Sequence, residues 1–148
     1  MDSHSILQVL LSSAAATTVM TLCSYAVSAA AREIYKEPIL LAYILKQLHL
    51  NISSDAKNML GWVLHYVIGL AFVTAYHLLW SHKILDATIL SSIMLGAASG
   101  MLGIIGWIVL FKIVHQKPNI DYKGYYAQLF AVHVIFGVTA FLVYRLFL

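Results

Sequence analysis

The chain has 148 residues, 61% of them hydrophobic and only 10% charged, with a net charge of +3. A water-facing domain of this size carries about 25% charged residues, so these few charges exclude a fully water-exposed surface and point to lipid as the solvent. No basic block suggests a nucleic-acid partner, and Cys23, the only cysteine, rules out an intrachain disulfide.

A membrane-crossing helix needs about 20 apolar residues, and four such stretches follow one another. The first, residues 6–31, is rich in Ala, Ser and Thr, and Ser13, Thr17, Thr21, Ser24 and Ser28 form a polar stripe at helical spacing. Its end, "AVSAAARE", has small residues that a signal peptidase accepts, but no Lys or Arg precedes it. A retained helix is the expectation. The connection that follows contains "EPILLAYILKQLHLN". Pro38 suits a first turn, and Leu41, Ile44, Leu45 and Leu48 share one face while Lys46, Gln47 and His49 lie elsewhere. The pattern predicts a short amphipathic helix over 38–50, lying in the membrane interface, with docking to a partner protein as its alternative use.

Ser53, Ser54 and Asp55 offer caps for the second span, residues 58–80. The third span, residues 87–114, reads "SSIMLGAASGMLGIIGW" and places Ser92, Gly96, Gly100, Gly103 and Trp107 on one seam. Small residues at that spacing let helix backbones approach closely in lipid. The fourth span covers residues 125–147. All six acids (Asp2, Glu33, Glu37, Asp55, Asp86 and Asp121) fall outside these cores or at their edges, as the penalty for a carboxylate in lipid requires. Arg32, Lys36, Lys46, Lys57, Lys112, Lys117 and Lys123 gather on one side, against Lys83 and Arg145 on the other. The positive-inside rule then puts both long connections in the cytoplasm and both termini outside a bacterial inner membrane. Trp62 and Trp80, near opposite ends of the second span, fit an aromatic belt.

Two stretches resemble each other. "HYVIGLAFVTAYHL" (residues 65–78) aligns with "HVIFGVTAFLVYRL" (residues 133–146), pairing His65 with His133, Gly69 with Gly137 and Tyr76 with Tyr144. The first and third spans match more weakly, Ser12 and Ala16 against Gly96 and Gly100. Such a match predicts a parallel internal repeat. The expected fold is a single all-α membrane domain over residues 1–148, a four-transmembrane-helix bundle of 2+2 pseudo-twofold form. Counting inward from the span ends sets His65, His133, Tyr25, Cys23 and Trp107 in one polar, aromatic layer.

Three roles fit such a layer. In the leading one the histidines are neutral and hydrogen-bonded, Gly69 and Gly137 admit neighbouring helices, and the protein has a structural or assembly role without catalysis. In the second, His65 and His133 ligate haem b or a metal ion. In the third, a homodimer passes ions or small solutes, a reading weakened by the lack of any acid deep in a span. Enzyme chemistry has little support: no G-x-S-x-G, H-E-x-x-H or phosphate-binding loop occurs. The connection "VHQKPNIDYKGYY" gathers His115, Lys117, Asp121 and Lys123, but turn chemistry and lipid-headgroup contact account for it. The partners expected are the lipid bilayer and a second copy or another membrane protein.

Overall fold

The computed structural model describes residues 3–48 and 50–147. Its regular elements are all helices: α1 (Ser3–Ala31), α2 (Glu37–Gln47), α3 (Ser54–Ser81), α4 (Ile89–Ile113) and α5 (Tyr122–Arg145). His49 and Asp2 of the sequence reading lie outside the described residues. Every helix but α2 is long and apolar enough to cross a membrane, with mean hydropathies of 1.6–2.1. Their outward faces carry Leu22, Val67, Leu90, Met94, Leu102 and Ile113, each more than half exposed.

Local chemistry sets the helix ends. Ser53 caps α3 by accepting from the Ala56 amide at 3.1 Å, and Thr88 and Ser91 close a reciprocal capping box on α4. Asp121 caps α5, accepting from the Lys123 and Gly124 amides at 3.1 Å each. At their C-terminal ends, α1 and α3 both turn through a left-handed residue, Arg32 and Lys83, each with φ 56°. The amides of Glu33 and Ile84 then reach back to the carbonyls of Ser28 and Leu79 at 3.2 and 3.0 Å, which is the Schellman stop usually given to glycine. Lys83→Gly should therefore stabilise the protein by about 0.5–1 kcal/mol. Thermal unfolding in detergent checks this; a lower Tm in the variant would refute it.

The helices do not pack evenly. α1 and α5 lie together at the centre, α4 packs on α5, and α3 packs on α1. In α1 and α5, 44% of the most apolar stretch is buried, against 28% in α3 and 22% in α4. An exact copy relating α3 to α5 would bury the two alike. Sequence decides the difference. α4 meets α5 through Gly96, where a Cβ would stand 2.6 Å from the His133 carbonyl oxygen, and through Gly100, where it would stand 3.1 Å from the His133 Cβ. Gly137 answers from α5, its missing Cβ directed at the Ser92 carbonyl oxygen and the Gly96 backbone. Gly69 of α3 closes on Thr17 of α1 in the same way.

Two expectations are corrected. The apolar stripe of α2 does not face outward: Leu41, Ile44 and Leu45 are buried, because α2 packs on α3 at Gly61, where a Cβ would lie 2.6 Å from the Pro38 carbonyl oxygen. Only Leu48, 40% exposed, stays outside. Trp80 is no belt residue either. It is buried, packs at a tilt against Tyr144 with centroids 4.9 Å apart, and donates to Ser91 Oγ at 3.3 Å. With Tyr76, Phe136 and Phe141 it fills the end of the bundle nearest the termini.

Candidate functional site

His65 is the eleventh residue after Ser54 at the start of α3, and His133 the eleventh after Tyr122 at the start of α5. At 1.5 Å per residue each lies roughly 16 Å along its helix. Both are buried, and both border the same cavity, of about 200 Å³, together with Thr17, Glu37, Gly103 and Trp107. Phe72 and Phe136 close the cavity toward the termini, edge-on to each other at 6.4 Å, with Tyr76 behind Phe136 at 6.1 Å. Between α3 and α4 the wall is thin. Ile68, Leu102 and Gly106 line the cavity yet are exposed on the outer face, and a Cβ on Gly106 would meet nothing within 4 Å. The cavity therefore opens sideways, toward the outside of the bundle.

Hydrogen bonds fix both imidazoles. The Nδ1 of His133 lies 2.8 Å from the Leu129 carbonyl oxygen. A carbonyl only accepts, so Nδ1 carries the proton and Nε2 holds a lone pair. That Nε2 has no hydrogen-bond partner among the described residues and looks across at Gly103, whose missing Cβ would stand 3.4 Å away. The Nε2 of His65 lies 2.9 Å from Thr21 Oγ1, whose own hydrogen goes to the Thr17 carbonyl oxygen at 2.6 Å. His65 must then donate from Nε2, which leaves a lone pair on its Nδ1. The Thr17 hydroxyl, buried beneath Gly69, has no partner.

Glu37 lies outside the four spans, as expected, but its place at the cavity has no signal in the sequence. It stands at the start of α2, directly before Pro38, where an acid ordinarily faces solvent. Instead it is 2% exposed, and its carboxylate enters the bundle. Ser24 Oγ donates to Oε1 at 2.8 Å, and Gln128 Nε2 bonds Ser24 at 2.7 Å and Oε1 at 3.5 Å. Oε2 has no partner, nor do the neighbouring Gln128 Oε1 and Tyr125 hydroxyl. Burial pushes the Glu37 carboxyl up to about 7, against the opposing pull of a backbone amide and of the Ser24 and Gln128 hydrogen bonds. A protonated Oε2 would have a hydrogen to give, and Gln128 Oε1 is an acceptor that lacks one.

Of the five residues expected in one layer, His65, His133 and Trp107 border the cavity, while Tyr25 and Cys23 do not. Tyr25 turns the other way, with the Lys36 ammonium 4.5 Å above its ring and Trp62 6.2 Å away. Cys23 packs half-buried at the edge of the core. The basic connection after α4 is braced, not open: Tyr43 and Gln47 donate to the Gln116 carbonyl at 2.9 and 2.8 Å.

The pair does not suit a bis-histidine haem. The Nε2 of His65 is taken by Thr21, and a cavity of about 200 Å³ is below the roughly 300–1,000 Å³ that even drug-sized ligands occupy. Among the described residues no three His, Cys, Asp or Glu side chains come together as a metal shell. No protein-family model, no curated protein and no solved structure matches the chain.

Proposed function

We propose that this protein is a membrane-embedded binding protein that holds a small lipid-soluble molecule in the cavity that all five helices border. One observation carries the reading: a cavity of about 200 Å³ bordered by polar side chains whose atoms lack partners, Thr17 Oγ1 and Glu37 Oε2. A bundle whose only task is assembly closes to crystal-like packing density and pairs its buried polar groups. This one does neither at the layer of its histidines. For scale, an engineered cavity of about 150 Å³ takes up benzene, so a single substituted ring is the right size. The aromatic end formed by Phe72, Phe136, Tyr76 and Trp80 argues against a passage through one chain.

The setting is a lipid bilayer, with the Lys- and Arg-rich end of the bundle in the cytoplasm and both termini outside, as the asymmetry of basic residues favours. The paired histidines are read as the remnant of a copied two-helix unit whose halves have since diverged in packing.

Three tryptophans make the test simple. In detergent-solubilised protein carrying ¹⁵N-labelled tryptophan, propylbenzene should move the indole resonance of Trp107 saturably. The partly exposed Trp62 should report only detergent partitioning. Gly106→Leu, whose side chain would fill the open wall without a clash at Cβ, should abolish the saturable shift and leave Tm unchanged or higher, since leucine favours a helix by about 1 kcal/mol over glycine. Parallel, unsaturable shifts at Trp62 and Trp107 would overturn the proposal, as would a full response in the variant.

A further inference from the structure

Building on that reading, we infer that the ligand is a lipid-soluble ring alcohol, a phenol being the simplest case, whose hydroxyl donates a hydrogen bond to His133 Nε2 while its tail leaves through the gap beside Gly106. The polarity of the site comes from geometry. His133 spends its only proton on the Leu129 carbonyl at 2.8 Å, and His65 spends its own on Thr21 at 2.9 Å. Each ring thus has just a lone pair left to offer. Among the described residues no Lys or Arg borders the cavity, which leaves a carboxylate or phosphate ligand without a cationic partner there. Thr17, with an unpartnered hydroxyl, is a neutral donor on the wall, as is Glu37 in its protonated form, and a hydroxyl ligand can accept from Thr17 while donating to His133. A ketone, ether or ester can only accept and would leave the lone pair of His133 unmet.

Shape agrees with this polarity. The apolar wall of Phe72, Trp107, Leu129 and Phe136 suits a flat ring. Its volume of about 200 Å³ holds a head and not a whole lipid. The wall is open between α3 and α4, where Ile68 and Leu102 are 45% and 60% exposed. A chain attached to the ring has a way out at that point.

The test uses three probes of similar size on the whole protein in detergent: 4-propylphenol, its methyl ether 4-propylanisole, and propylbenzene, each read by the Trp107 indole shift. Wild type should bind the phenol about tenfold more tightly than the ether, as one buried hydrogen bond predicts. His133→Phe should bring the two within about twofold while propylbenzene still binds. If that variant does not fold, Gly103→Ala serves, because its methyl would stand 3.4 Å from Nε2 and should shrink the phenol preference in the same direction. Equal binding of phenol and ether to wild type would overturn the inference and leave the cavity proposal intact. So would a preference that survives at full size in either variant. Failure of all three probes to give a saturable shift would overturn both.

Discussion

Gly96→Val is expected to cost about 3 kcal/mol, or to leave no folded protein at all, while Gly106→Val on the same helix costs nothing or slightly stabilises. Both changes put a β-branched residue into α4 in place of glycine, so helix propensity moves them alike, by a few tenths of a kcal/mol in the variant's favour. Their surroundings are opposite. A Cβ at Gly96 would lie 2.6 Å from the His133 carbonyl oxygen and 2.9 Å from Val134 Cα, whereas at Gly106 it would meet nothing within 4 Å. Backbone atoms have no rotamer through which to escape, so α4 and α5 must move apart. Overpacking of this kind costs about 1–3 kcal/mol in proteins generally, and here it also forces apart the backbones of α4 and α5, which Gly96 and Gly137 bring together. Thermal unfolding in detergent should show the two variants on opposite sides of wild type, or Gly96→Val far below and Gly106→Val level with it. Equal losses would mean that the α4–α5 seam does not hold the fold.

That seam was legible in the sequence because its cause is local. Gly96, Gly100 and Gly103 recur at helical steps, and in a greasy helix such spacing has one common use. Both histidines could be foreseen at one site for a related reason: His65 and Gly69, like His133 and Gly137, place an imidazole one turn from a point of close approach. Tyr25 shares the depth of the cavity but faces away from it. Ser24 belongs to the buried stripe of Thr17, Thr21 and Ser28, and the next residue points about 100° away from it. Gly61 completes the stripe Gly61, His65, Gly69 at four-residue steps, and that spacing could have announced a second contact on α3. What it could not announce was the partner, α2, whose Pro38 and Ala42 fill the space. An acid followed by proline at a helix start reads as an exposed first turn from any local rule. Its burial is decided by the return of the chain through Arg32 and by Ser24 and Gln128, the latter 91 residues away from Glu37.

Glu37→Gln should remove this carboxyl's contribution to the pH dependence of stability between pH 4.5 and 7. With the folded carboxyl near 7 and an ordinary value of 4.5 in the unfolded chain, the native state holds a proton in this window that the unfolded state has released. The contribution of Glu37 to stability therefore falls as pH rises through the window and levels off above it. The size of the fall is about 3 kcal/mol at 1.36 kcal/mol per unit, and it is fully present below pH 4.5. Glutamine keeps the hydrogen-bond pattern of the protonated acid: its carbonyl can accept from Ser24 and its amide can donate to Gln128 Oε1, which otherwise lacks a partner. The variant should thus match wild type at pH 5 and exceed it at pH 8. Glu37→Leu separates charge from hydrogen bonding. It too should lose the contribution of the carboxyl, but it should be weaker than Glu37→Gln at every pH, because the Ser24 hydroxyl then loses its acceptor. Curves for wild type and Glu37→Gln that run parallel from pH 4.5 to 8 would show that this carboxyl titrates as an ordinary surface acid. The burial of Glu37 would then be wrong, and with it the polar end of the cavity.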